Sequence, residues 1–142
     1  MVSKIPQNFL RYVLWADALS CLACGLLQVT LTGSLDQRFG LPLPLYVGSG
    51  VFLILYSVAV AYLATRPNVP SAIVWLLIVG NVAWGVGAVG ILVGADMPVT
   101  VLGKAYIIAQ ALTVLVLAQL QYLCVRPGQP NRLASARQQS NE

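Results

Sequence analysis

Four long apolar stretches, separated by short polar segments, fill most of the chain. They cover about residues 9–32, 46–65, 71–94 and 98–125 of 142. Apolar residues run continuously through each stretch, whereas the strands of a membrane barrel alternate apolar and polar positions. A helix needs about 20 apolar residues to cross the hydrocarbon core of a bilayer. The pattern therefore predicts an all-α membrane protein, a four-transmembrane-helix up-down bundle formed by residues 1–125.

The composition agrees with this prediction. The chain is 58% hydrophobic and 8% charged, whereas soluble domains carry about 25% charged residues. Residues 126–142 differ, because they are polar and basic and lack apolar residues for a core. They predict a disordered tail. The net charge of +4 comes largely from residues that flank the apolar stretches, so we expect the lipid bilayer as a partner and no nucleic acid.

The basic residues indicate an orientation. If the chain crosses the membrane four times, six of its eight basic residues fall on one side, and Lys4, Arg11, Arg66 and Arg126 flank the spans there. The positive-inside rule then predicts that these four are topology anchors and that both termini are cytoplasmic.

The connections predict how the spans are joined. Residues 33–45 form the longest connection and predict a short surface helix or turn before Pro42 and Pro44. The segment 66–70 holds two prolines in a short polar connection, which predicts a tight turn. Spans two and three are therefore expected to be an antiparallel pair.

Asp17 is the most informative polar residue, because it lies about two to three turns inside the first span. A carboxyl group at that depth is costly, so it marks either a transport or proton-relay function or a structural hydrogen bond. Asn81 in span three is expected at a similar depth, and Gln110 lies near the middle of span four. The sequence predicts an intramembrane polar cluster of these three residues. Amides in membrane helices also act simply as bonds between helices.

Small residues predict a packing face on span three. Ala83, Gly87, Gly90 and Gly94 lie along one side of the predicted helix. Such residues let the backbones of two membrane helices approach closely. The neighbour is either another span of the same chain or a second subunit.

The chain offers little for catalysis. It contains no histidine, which excludes histidine-ligated haem, histidine zinc centres and Ser-His-Asp triads. Cys21 and Cys24 have the spacing of a redox pair, but inside an apolar helix we expect them to act as small hydrophobic residues. We therefore expect no enzyme activity, no catalytic residues, no metal and no cofactor.

Three segments carry a resemblance to a known family. They include Asp17 within 10–27, the run from Gly80 to Trp84, and Lys104 and Gln110 within 102–122. The chain resembles a family of small four-span bacterial inner-membrane proteins whose activity is uncharacterised. The resemblance implies a multi-pass protein of the bacterial inner (cytoplasmic) membrane. A looser likeness to the small multidrug-resistance transporters rests on four spans and one carboxyl group in the first, while the connections and the surroundings of Asp17 differ.

Two functions follow as expectations. The first is a non-enzymatic membrane protein that acts by association, as an accessory subunit of a larger membrane complex or as a homo-oligomer. The alternative is a small proton-coupled transporter or channel in which Asp17 is the titrating group and Asn81 and Gln110 line the path.

Overall fold

The computed structural model of the chain describes residues 7–94 and 96–126. Within these residues there are helices and no strands, in the order α1 (Gln7–Thr30), α2 (Thr32–Phe39), α3 (Leu43–Thr65), α4 (Ser71–Gly94) and α5 (Val101–Val125). All but α2 are long and apolar enough to cross a membrane, which confirms the prediction of four such helices. Lys4 and the predicted tail beyond Arg126 lie outside the described residues.

Prolines and a threonine set the ends of the long helices. Pro42 precedes α3, whose first turn contains Pro44, and the carbonyl of Pro70 accepts the first backbone bonds of α4. At α5 the side chain of Thr100 accepts a hydrogen bond from the backbone N–H of Gly103 at 3.1 Å. The fourth long helix therefore begins at Val101, after this cap, and not at the predicted Pro98.

The short helix α2 closes one end of the bundle. It ends at Phe39 and is followed by Gly40, whose φ of 69° is in the left-handed region that favours glycine. Thr100 then joins α2 to α5, because its backbone N–H donates to the Phe39 carbonyl at 3.1 Å and its hydroxyl to the Arg38 carbonyl at 2.5 Å. Phe39 and Leu41 are buried in one cluster with Tyr46 of α3 and Ile107 of α5. We call this end the α2 end, and the opposite end, which holds the α3–α4 turn and Arg126, the terminal end.

The long helices pack in the order α3–α1–α5–α4. Although the 66–70 turn joins α3 to α4, no Cα of α3 comes within 8 Å of a Cα of α4 along their described residues. The two helices run antiparallel, as predicted, but their backbones do not approach each other closely. Phe52 and Trp84 stack across the space between them, with ring centroids 5.4 Å apart. These rings occupy the space that two closely packed helices would need.

Glycine brings α1 and α3 together. A Cβ added to Gly25 would lie 2.8 Å from the carbonyl oxygen of Gly50, and one added to Gly50 would lie 2.9 Å from a methyl carbon of Val29. At Gly25 the obstructing atom is backbone, so a side chain there requires the two helices to move apart. At Gly50 a side chain requires Val29 and Gln28 on α1 to shift. This pair, which the sequence analysis did not single out, sets the close approach of α1 and α3.

The predicted packing face on α4 is uncovered within the described part of the chain. Around Gly87, Gly90 and Gly94 no other atom lies within 4 Å of an added Cβ, and Ala83 is exposed. The contact with α5 is made instead at Gly85, where an added Cβ would lie 3.3 Å from Leu115. Among the described residues, α5 packs on the face of α4 that carries Gly85 and not on the predicted one. A second subunit as the neighbour stays a prediction.

Candidate functional site

Asp17 lies where all four long helices meet, and its side chain is 0% exposed. Side chains of a helix lean toward its N-terminus. Those of α1 and α4 therefore lean toward the terminal end, and those of α5 lean toward the α2 end. Asp17 on α1, Asn81 on α4 and Gln121 on α5 converge for this reason.

Within the described residues, each hydrogen-bond partner of the Asp17 carboxyl group is a neutral donor. Its Oδ2 accepts from Gln121 Nε2 at 2.7 Å, from Asn81 Nδ2 at 3.2 Å and from the Tyr56 hydroxyl at 3.3 Å. Its Oδ1 accepts from Cys21 Sγ at 3.5 Å. An ionised carboxyl group only accepts hydrogen bonds, so this arrangement satisfies a carboxylate without a cation beside it. We call these five residues the Asp17 network.

The network also closes on itself. Asn81 Nδ2 donates a second bond, to Gln121 Oε1 at 3.3 Å. Asp17, Asn81 and Gln121 therefore form a ring of hydrogen bonds that joins α1, α4 and α5, and Tyr56 adds α3. Both amides are almost completely buried, with exposures of 3% for Asn81 and 0% for Gln121. The ring fixes the relative positions of the helices, because loss of any member leaves a buried polar group without its partner.

The structure brings Asp17 and Asn81 together, as the sequence predicted, but it does not bring Gln110 to them. Gln121 takes the third position. The two glutamines are eleven residues apart on α5, which is about 16 Å along a helix. The prediction compared positions along each span and did not allow for the lean of side chains on a helix that runs the opposite way. The signal for Gln121 was its spacing, seven residues after Val114 and three after Ala118, which places it on the face of α5 that the structure buries.

A second group of polar side chains lies nearer the α2 end. Gln28 is 3% exposed. Its Nε2 donates to the Tyr106 hydroxyl at 2.8 Å, and its Oε1 accepts from the Ser49 hydroxyl at 2.7 Å. This group joins α1, α3 and α5 but not α4. Gln28 lies eleven residues after Asp17 on α1, and Tyr106 lies one turn before Gln110 on α5.

Between these two groups lies a cavity of about 660 Å³, in the space that separates α3 from α4. Five aromatic side chains line it: Tyr46, Phe52, Tyr56, Trp84 and Tyr106. Cys21, Tyr56 and Asn81 belong to its lining, whereas Asp17 and Gln121 do not. These three side chains therefore separate the carboxyl group from the cavity. No charged residue of the described chain lines it.

Gln110 lines this cavity and is half-buried. Its amide forms no hydrogen bond with any other side chain or backbone group of the described residues, whereas Gln28, Asn81 and Gln121 are all bonded. A polar amide without a partner in an apolar environment carries a free-energy cost. Gln110 is thus the amide inside the bundle that is available to another molecule.

The described topology anchors lie together at the terminal end. Arg11 Nε donates to the Ala64 carbonyl at 3.2 Å, and the Arg66 guanidinium lies 4.3 Å from the centre of the Tyr62 ring. Both line a small cavity of about 250 Å³ together with Ser71, at the first turn of α4. Arg126 follows the last residue of α5 at the same end. Their common position accords with the anchoring role that the sequence predicts.

The cysteines form no disulfide in the described chain. Cys21 is buried, and Cys24 and Cys124 are half-buried. Cys21 lies one helical turn from Asp17 and donates a hydrogen bond to its carboxyl group. This contact gives the thiol a role in helix packing. The described residues also contain no group of three or more potential metal ligands.

The arrangement can do two things chemically. The Asp17 network joins the helices through buried hydrogen bonds, and the cavity offers aromatic surfaces and one unpaired amide. Comparison with known proteins gives no match: no family model fits the chain, and neither a curated protein nor a solved structure is similar to it.

Proposed function

We propose that the protein acts by association within the membrane, as a homo-oligomer or as an accessory subunit of a larger membrane complex. The observation that carries the proposal is the uncovered side of α4. Gly90 and Gly94 are exposed, and no other described atom lies within 4 Å of an added Cβ at either position. In a bilayer, helices associate through close packing at such small residues. A membrane helix of the partner would pack there.

The test is native mass spectrometry of the full chain, purified from native membranes in mild detergent. We expect a homo-oligomer or a complex with a second membrane protein, and we expect G90L/G94L to release the monomer. Val89→Leu is the matched control, because Val89 is exposed on another face of the same helix. A wild-type monomer, or an assembly that both variants keep equally, would contradict the proposal.

The alternative function, a small proton-coupled transporter or channel, has one observation in its favour. Asp17 is a buried carboxyl group whose hydrogen-bond partners among the described residues are all neutral. Such a group can bind and release a proton without breaking an ion pair. Against it, Cys21, Tyr56 and Asn81 stand between the carboxyl group and the cavity, and Gln110 is not part of the network.

Asp17→Asn separates the two functions. If the protein acts by association, the variant keeps the assembly, since an amide oxygen still accepts from Gln121 and Asn81. If it transports protons, the variant abolishes proton flux into proteoliposomes that hold a pH-sensitive dye. Flux by the wild-type chain that Asp17→Asn eliminates would move the assignment to transport.

We also propose that both termini are cytoplasmic and that the membrane is the bacterial inner membrane. The support is the common position of Arg11, Arg66 and Arg126 at the terminal end, together with the positive-inside rule. Fusion of alkaline phosphatase after Arg126 should give an inactive enzyme, and fusion of green fluorescent protein there should fluoresce. The reverse pair of results would invert the topology.

A further inference from the structure

We infer that the cavity between α3 and α4 is a binding site for a neutral, flat, lipid-soluble molecule that carries a carbonyl or hydroxyl group. This inference goes beyond association and does not depend on it. It rests on the volume of the cavity, its aromatic lining, its lack of charge and the unpaired amide of Gln110.

The volume of the cavity fits a small molecule and is too small for a membrane-spanning helix. Ligand sites in proteins typically measure about 300–1,000 Å³, and this cavity of about 660 Å³ lies within that range. A membrane-spanning helix of a partner is about 30 Å long and 10 Å wide, which is several times that volume. The partner helix proposed for α4 therefore needs a different part of that helix. Gly90 and Gly94 are absent from the cavity lining, whereas Ala83 and Gly87, earlier on the same side of α4, belong to it.

The lining selects a flat apolar body. Phe52 and Trp84 stack with ring planes only 8° apart, and three tyrosines complete the aromatic surface. Aromatic rings bind flat unsaturated molecules through offset stacking. Gly80 and Gly87 also line the cavity, and neither has another atom within 4 Å of an added Cβ. These glycines leave on α4 the room that side chains would fill.

The polar groups of the lining fit an uncharged polar group on the bound molecule. No lysine or arginine of the described chain lines the cavity to bind an anion. The nearest carboxyl group, Asp17, is already bonded to four donors and lies behind the lining, so it makes no direct contact with a cation. The Gln110 amide offers two N–H donors and one acceptor. A carbonyl or hydroxyl group matches it, and the bond removes the cost of an unpaired amide.

Entry from the bilayer is direct at the cavity, because the backbones of α3 and α4 stay apart there. The stacked rings of Phe52 and Trp84 bridge the two helices at the cavity. Nearer the terminal end, Val60 and Ala64 of α3 share a buried cluster with Leu77 of α4. At the cavity, a lipid-soluble molecule has to displace side chains and no backbone. Trp84 lies in the wall of the site, so its fluorescence reports occupancy.

The experiment is titration of the full chain in nanodiscs with decylubiquinone, a neutral quinone that quenches tryptophan fluorescence. Trp15→Phe and Trp75→Phe leave Trp84 as the reporter. We expect saturable quenching that Gly87→Leu abolishes, because its side chain fills the cavity. Gln110→Leu should weaken binding about three- to tenfold, the usual value of one hydrogen bond. Gln119→Leu is the matched control on the exposed face of α5 and should change nothing.

Three outcomes would overturn the inference. The first is quenching that does not saturate, which reports only partition of the quinone into the bilayer. The second is an equal response of Gly87→Leu and wild type, with folding of both checked by circular dichroism. The third is tighter binding of decyltriphenylphosphonium or of decanoate than of the quinone, which would assign the site to a cation or an anion.

Discussion

The boundary between α1 and α3 and the boundary between α3 and α4 both contain glycine, yet one is closed and the other open. Gly25 and Gly50 meet so closely that neither tolerates a Cβ, while Gly80 and Gly87 face empty space. Small residues therefore permit close packing but do not cause it. The two boundaries differ in the groups beside their glycines. At the closed boundary these are backbone atoms and aliphatic side chains, and at the open boundary the stacked rings of Phe52 and Trp84 hold the helices apart.

The Asp17 network explains how the bundle stays together although one boundary is open. Its hydrogen bonds reach every long helix, so Asn81 joins α4 to α1 and α5 although the backbone of α4 does not approach that of α3. The network is closed and satisfied, whereas the cavity beside it contains an unpaired amide. We therefore assign the network to stability and the open boundary to binding.

We expect the largest loss in the free energy of unfolding when a valine is placed at the closed boundary between α1 and α3. Gly50→Val places atoms against Gln28, Val29 and the Gly25 carbonyl, and overpacking of this kind costs about 3 kcal/mol. Gly48→Val is the matched control two residues away, because no other atom lies within 4 Å of its added Cβ. Unfolding by SDS in mixed micelles measures both. Equal losses in the two variants would show that the boundary is not closed at Gly50.

A smaller effect separates the two glutamines of α5. Gln121→Leu removes the shortest bond to Asp17 and the acceptor of Asn81, so we expect a loss of about 1.5 kcal/mol in the free energy of unfolding. Gln110→Leu removes no bond within the chain and should stay within about 0.5 kcal/mol of wild type. The same SDS titration compares them. A larger loss for Gln110→Leu than for Gln121→Leu would contradict the assignment of Gln121 to the Asp17 network.

The smallest effect is expected at the open boundary itself. Trp84→Leu removes one stacked ring pair, which contributes about 1 kcal/mol, and part of that is regained because leucine also packs in the lipid-facing gap. We expect a loss of less than about 1 kcal/mol, measured in the same titration. A loss as large as that of Gly50→Val would mean that Phe52 and Trp84 hold α3 and α4 together as a packed pair.

Much of the fold could be predicted because continuous apolar length decides it. The long helices follow from the four apolar stretches, and the meeting of Asp17 with Asn81 follows from similar positions on two helices that run the same way. Gln121 was missed because α5 runs the opposite way, so its side chain leans toward the α2 end. Position along the span alone therefore misplaces it.

The open boundary could not be predicted, because a sequence shows which residues are small but not which helix faces them. Ala83, Gly87, Gly90 and Gly94 form a more regular pattern than Gly25 and Gly50, which lie on different helices. Only the pairing of α1 with α3 brings the latter two together. Similarly, the 66–70 turn predicts a reversal of the chain, but two neighbouring aromatic rings decide whether the helices then pack.

The central claim is that α3 packs on α1 and not on α4, and double electron–electron resonance in nanodiscs tests it most directly. Spin labels at Leu55 on α3 and Leu19 on α1 span the closed boundary, and labels at Leu55 and Val82 on α4 span the open one; all three positions are exposed. With Cys21→Ser, Cys24→Ala and Cys124→Ala as background, we expect a narrow distance distribution across the closed boundary and a broad one across the open boundary. Two equally narrow distributions would contradict the account.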